Sequence, residues 1–297
     1  MSHTPSTLAD RARFVNNAPL IIVALLTVDS LHFIFAKLLA PHLPPTTSAM
    51  YVMLVGTIEV VLIALARSGK VQLAVFWQYK WFFLSIGLLI AISTSGNYLA
   101  VSYINPGQAA LLAKSAVLFG LGFGLLWLKE KLTGLQISGT FIAIMGVFTI
   151  AFQPGDYLRL GSFLVLGSVF LYSSHTALVK RYGANMDIVT FFVFRLATTS
   201  SFLLLYNLGS GNLQWPTRSV WPLLILVGTV DIVISRGLYY LALRQLKLSI
   251  HTIILTASPA LAIIWTVLLF EINPTPQQLL GGGAVLIGVI LVTWPRR

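Results

Sequence analysis

Cysteine is absent from this 297-residue sequence, which excludes disulfides, thiolate metal sites and dithiol redox chemistry. Charge is scarce: Asp, Glu, Lys and Arg make up 9% of the chain, against about 25% in an ordinary soluble protein. Acidic residues are scarcer still, 8 against 19 Lys and Arg, leaving a formal net charge of +11. Long polar blocks are missing as well. The most hydrophilic stretches are the tail 1–17 and the loop 208–219, which leaves no room for a soluble catalytic or nucleotide-binding domain. What is abundant is apolar, 57% of the residues, with a mean hydropathy of +0.87. That composition is an integral membrane protein's, and the lipid bilayer is its solvent. The Lys and Arg residues are scattered through short loops, as in cytoplasmic membrane loops, so no nucleic-acid partner is expected despite the basic balance.

A helix needs about twenty apolar residues to cross the hydrocarbon core. Ten such runs are bounded by charge, Pro or Gly: 19–40, 47–66, 81–101, 106–128, 134–152, 160–180, 188–207, 220–241, 248–270 and 277–294. The first follows Arg11 and Arg13 and is too long for a signal-peptide core, so it is read as a retained span. With the N-terminus inside, the inner segments hold Arg11, Arg13, Arg67, Lys70, Lys80, Lys129, Lys131, Lys180, Arg181, Arg244, Lys247, Arg296 and Arg297, while the outer loops hold only Arg159 and Arg218. The positive-inside bias thus predicts ten spans with both termini cytoplasmic. Lys37, at the outer end of the first span, snorkels to the interface on this reading.

The halves of the chain resemble each other. Tyr98-Leu-Ala-Val101 matches Tyr240-Leu-Ala-Leu243, and a Glu follows each at a similar distance, Glu130 and Glu271. Glycines seven apart come next, Gly139 and Gly146, then Gly281 and Gly288. His32 and Lys37 match His175 and Lys180 at one offset. Five spans per half force the second half to insert upside down, the plan of many secondary transporters with a midplane site between repeats. The expected organisation is a cytoplasmic tail (1–18), a first repeat (19–152), an outer linker (153–159), a second repeat (160–294) and a short cytoplasmic tail (295–297). The fold class is all-α, a polytopic membrane protein of two inverted five-helix repeats.

Tyr240-Leu-Ala-Leu243, Ala257-Ser-Pro-Ala260, Phe270-Glu271 and the Gly-rich last span, echoed in the first half by Tyr98-Leu-Ala-Val101, Leu128-Lys-Glu130 and Ser138-Gly139, resemble the EamA-type members of the drug/metabolite transporter superfamily. Val193-Phe-Arg195-Leu resembles the Arg those proteins carry early in the second span of a repeat. The first half departs from the pattern: it lacks a Pro at 117–119, and Met53 stands near the place of Arg195. The resemblance implies a ten-helix carrier, often an exporter of amino acids or other metabolites, and covers nearly the whole chain.

Charges inside apolar runs carry the functional reading. Each costs about 2.5–3.5 kcal/mol at the bilayer centre on insertion scales, so they must face one another or a wet cavity. Asp29 falls in the middle of the first span with His32 one turn on, and Tyr172 and His175 occupy the matching places in the sixth. Glu59, Lys114, Arg195, Asp231 and Arg236 complete the candidates for substrate binding or proton coupling. Asp231 and Arg236 lie roughly 140° apart on a 3.6-residue helix; each is therefore expected to find a partner elsewhere, with Arg195 opposite Asp231. Structural salt bridges are the competing use of these charges. His251 is read as structural, Glu130 and Glu271 as loop-positioning residues, and Pro259 as a hinge or a packing bend.

Three functions compete. A secondary transporter needs such a polar centre and, with no Walker pattern, draws on a proton gradient or substrate exchange. An intramembrane enzyme acting on a lipid-linked substrate would need a nucleophile–base pair or metal ligands, yet no His-Glu-x-x-His or Gly-x-Ser-x-Gly pattern occurs. A channel would need a filter element, which the short loops do not offer. The sequence therefore reads as a multi-pass carrier of the cell (inner) membrane, exporting a small polar metabolite such as an amino acid. It needs no cofactor, catalytic residue or metal, and a monomer would suffice because both repeats are fused.

Overall fold

The computed structural model describes residues 20–31, 35, 38–100, 103, 112–151, 160–183, 186–258, 261, 268 and 275–294. Among these residues every regular element is helical. In chain order they are α1 (Leu20–Asp29), α2 (Pro45–Ser68), α3 (Leu73–Gln78), α4 (Lys80–Ala100), α5 (Ala116–Trp127), α6 (Gly134–Ala151), α7 (Leu160–Tyr182), α8 (Ile188–Gly209), α9 (Trp221–Gln245), α10 (Leu248–Ala257) and α11 (Pro276–Thr293). Four of them, α2, α7, α8 and α9, are long and apolar enough to cross a membrane. Shorter apolar helices form α1, α5, α6, α10 and α11. The ten-residue-scale punctuation in the sequence places most ends. Pro45 opens α2, and Gly69 closes it in a left-handed conformation (φ 67°), its N–H bonding Leu65 O, as C-terminal glycines do.

Asp187 starts α8 by accepting a 2.9 Å hydrogen bond from the Thr190 amide. It also faces Arg67 at 3.7 Å, but that pair is well exposed and contributes little. The cap therefore dominates, and Asp187→Ala is expected to cost about 1 kcal/mol, read as a small fall in the thermal unfolding midpoint. The short α3 was not anticipated; it sits in the polar connection between α2 and α4.

Two helix pairs relate the halves of the chain. The offset that maps Lys37 onto Lys180 also maps Thr57 onto Ser200, and these two hydroxyls hydrogen-bond each other at 3.0 Å across α2 and α8. Further along, Thr47 meets Asn207 at 3.1 Å, so the two helices run antiparallel. The last helices of each half behave alike. Gly139 of α6 meets Gly288 of α11, and Gly146 meets Gly281. These are the matched glycines of the sequence repeat, paired crosswise as an antiparallel two-fold requires. Close backbone contact through small residues is how helices associate when lipid supplies no hydrophobic drive. Around these pairs, one apolar core is built from α2, α4, α8 and α9, with Phe83, Phe191, Leu196, Leu203, Leu224 and Tyr240 fully buried. A second joins α5, α6, α10 and α11. The polar centre lies where α1, α7, α8, α9 and α10 approach one another.

Candidate functional site

The centre is built on an irregularity in α9. Gly228–Ser235 is π-helical. Its i→i+5 repeat stacks residues five apart, so Asp231 and Arg236 come to the same face and Arg236 Nη2 lies 3.8 Å from Asp231 Oδ1. This corrects the α-helical expectation that each must find its partner elsewhere. Arg236 also reaches across to the first half of the chain, donating from Nη1 to Asp29 Oδ1 at 3.2 Å. The second Asp29 oxygen accepts from Ser258 Oγ at 2.9 Å. The three charged side chains are 5–17% exposed, so the guanidinium bridges two carboxylates in a nearly closed interior.

Among the described residues α1 runs to Asp29, and Ser30 and Leu31 form a turn in which Ser30 Oγ donates back to Thr27 O at 2.7 Å while Ser30 N still bonds Leu26 O at 3.0 Å. The Asp29 carboxylate faces Arg236 of α9 and Ser258.

Beside the triad lies a network of tyrosines and histidines. The Tyr239 hydroxyl pairs with Thr176 Oγ1 at 3.1 Å, and the Tyr240 hydroxyl with His175 Nε2 at 2.9 Å. Their rings meet at 5.1 Å, and Tyr172 packs against His175 at 5.3 Å. Arg236 stands 5.8 Å over the Tyr239 ring. Arg195 lies in α8. It is fully buried with its guanidinium 5.4 Å over the Tyr240 ring, a cation–π placement, and its Nε and Nη1 have no hydrogen-bond partner among the described residues. His251 is buried edge-on against Tyr239 at 4.5 Å.

Of the sequence-derived candidates, Asp29, Asp231 and Arg236 form the triad, while Tyr172, His175 and Arg195 line the adjoining network. Lys114 is half-buried in the turn before α5, within Coulombic range of Asp29. Glu59 stands apart, accepting from Thr229 Oγ1 of α9 at 2.7 Å. His32, Pro259 and Glu271 lie outside the described residues. Sequence reasoning missed Ser258 and Thr176. A hydroxyl beside a proline in an apolar run was the available signal for Ser258; Thr176 carried none. A cavity of about 240 Å³ lies elsewhere, lined by Arg67, Lys70, Asp187 and Thr190 at the ends of α2 and α8. It touches none of the triad residues and carries no part of this chemistry.

These observations define a class: a polytopic helical membrane protein of two related halves enclosing a charged centre. The profile of the EamA-like transporter family matches residues 18–152 and again 159–294, and the chain belongs to that family. It is similar to the uncharacterized transporter YvbV of Bacillus subtilis (26% identical over 215 residues, 70% of this chain and 69% of that protein). It is also similar to a riboflavin transporter of Vibrio cholerae (30% over 189 residues, 63% of this chain and 62% of that protein). A protein of known crystal structure shares the fold with a TM-score of 0.78 at 18% identity, over 92% of this chain and 96% of that one.

Proposed function

We propose that this chain is a secondary active transporter of ten spans, with both termini cytoplasmic, that exports a small polar metabolite by alternating access. The observation that carries this reading is the Asp29–Arg236–Asp231 triad, because it joins a helix of the first half to a helix of the second. Rocking the halves must break the Asp29–Arg236 contact, and a substrate that replaces it compensates the loss. A zwitterion such as an amino acid suits the gap: its carboxylate takes Asp29's place on Arg236 while its ammonium meets Asp29. Lys114 and Arg195 add positive charge nearby, which favours a carboxylate-bearing solute over a plain organic cation. Without a nucleotide-binding motif, the energy comes from a proton gradient or from exchange.

Purified protein is screened by thermal shift against amino acids and other metabolites, with riboflavin included because of the Vibrio cholerae relative. A true ligand at a hundredfold excess over its Kd raises stability by about 2.7 kcal/mol. Hits are then carried into sealed vesicles, where the unmodified chain should move the solute and Asp29→Asn should lose most of the pH-driven flux. Unchanged pH-driven flux in Asp29→Asn would remove the proton role of Asp29, and absence of flux for every stabilising ligand would remove the transport reading itself.

A further inference from the structure

The turn between α9 and α10 is gripped from two sides by opposite charges. The Lys180 ammonium of α7 donates to the last carbonyls around the end of α9, those of Leu243 (2.7 Å), Arg244 (3.2 Å) and Leu246 (2.5 Å). A cation belongs at a helix C-terminus, where unpaired carbonyls and the helix dipole meet. On the other side, the Glu130 carboxylate accepts from the first amides of α10, Leu248 N (2.6 Å) and Ser249 N (2.9 Å), and from Ser249 Oγ (2.7 Å). That is an N-cap supplied by a different part of the chain. Lys247 Nζ donates to Lys131 O, and Arg244 Nη2 to Gly183 O at 3.0 Å.

Two further details show how Glu130 is delivered. Lys129, just before it, takes a left-handed conformation (φ 54°), the one described non-glycine residue that does so. This bends the chain back after α5, and Glu130 N bonds Gly124 O at 2.9 Å. Gly124 itself leaves the room: a Cβ there would stand 2.6 Å from Glu130 Oε2 and would also strike Ser249 Oγ. The backbone of the first half is shaped so that its carboxylate reaches a turn of the second.

We propose that Glu130, bound to a turn that Lys180 holds in shape from within the second half, forms a latch that closes the Lys- and Arg-rich end of the molecule, and that it must release for solute to reach the Asp29–Arg236–Asp231 site from that end. Glu130 belongs to the first half and the turn it holds to the second, so separation of the halves at this end breaks all three Glu130 contacts together. The proposal rests on the transport reading for its purpose, but the closure itself is measurable without any substrate.

The native chain has no cysteine, so a pair introduced at Lys131 and Gln245 is uniquely labelled. Spin labels at these positions in the full chain, held in lipid nanodiscs, should report one short-distance population. Glu130→Gln and Gly124→Ala should each raise the proportion of long distances about tenfold, the factor expected when a charge-assisted hydrogen bond is lost. Gly124→Ala removes no charge, so its agreement with Glu130→Gln separates displacement of the carboxylate from a general electrostatic effect. Unchanged distances in the folded variants overturn the latch. A second measurement needs no variant of the latch at all. Cross-linking the two cysteines with a short, cleavable bis-maleimide should stop flux in vesicles, and cleavage should restore it. Full flux while cross-linked overturns the proposal. If the parent moves no solute, the fault lies in the transport reading, and the distance measurement still judges the latch.

Discussion

Arg236→Met is expected to lower stability by about 3–5 kcal/mol, the range for removing one partner of a buried ion pair, and to drop the thermal midpoint by on the order of 10 °C. The reason lies in what remains. Asp29 and Asp231 are 17% and 5% exposed, and both lean on the one guanidinium. Without it, two carboxylates stay in a poorly solvated centre that has lost its bridging cation, with Ser258 still donating to Asp29. The loss is therefore mostly uncompensated charge and only in small part lost attraction. This makes the effect reversible by design. Adding Asp29→Asn and Asp231→Asn to Arg236→Met neutralises the site and should recover most of the lost stability, because neutral replacements of buried ion networks are often tolerated. The neutral triple variant should nevertheless fail to move solute, since the charges that recognise it are gone. Thermal unfolding of the purified variants decides the first part and vesicle flux the second. A single Arg236→Met that melts with the parent protein would mean that the carboxylates are protonated or wet, and that the triad is not what holds α1 against α9.

Much of the fold was legible because bilayer physics is blunt: apolar runs of fixed length, bounded by charge and glycine, become helices. The bounds of α2, α7, α8 and α11 lie within a few residues of the runs read from the sequence. The matched glycines seven apart were legible as a repeat; that they meet one another crosswise was not, since a repeat does not state which copies touch. Glu130, read as a loop-positioning residue, does position the α9–α10 turn. The errors come from backbone register. A π segment looks like any other apolar stretch, because its hydrogen-bond shift leaves no mark on residue type. Reading α9 as a regular α-helix therefore set Asp231 and Arg236 on different faces.

Gly288→Leu should be as damaging as the loss of Arg236, by a purely steric route. A Cβ at Gly288 would stand 2.5 Å from the Ala143 amide nitrogen and 2.6 Å from Gly139 O. Both are backbone atoms of α6, so no side-chain rotation relieves the clash and the two helices must part. Even Gly288→Ala is expected to cost about 1–3 kcal/mol, the usual range for overpacking, and leucine more. The cost spreads because a gap of about 0.5–1 Å already forfeits a quarter to a half of each dispersion contact along the seam. Gly146 faces the same limit from the other end, 2.6 Å from Val285 N and 2.7 Å from Gly281 O, so Gly146→Ala should match Gly288→Ala. Gly283, on the same helix as Gly288 but with nothing within 4 Å of its Cβ position, is the internal control. Gly283→Ala should be neutral or slightly stabilising, since alanine is the better helix former by about 1 kcal/mol. Thermal unfolding of the three alanine variants separates the cases: equal midpoints for Gly288→Ala and Gly283→Ala would show that α6 and α11 have slack between them. A large gap between the two would mean that the halves of the protein are held in register by backbone contact, because in lipid that contact has no hydrophobic force to replace it.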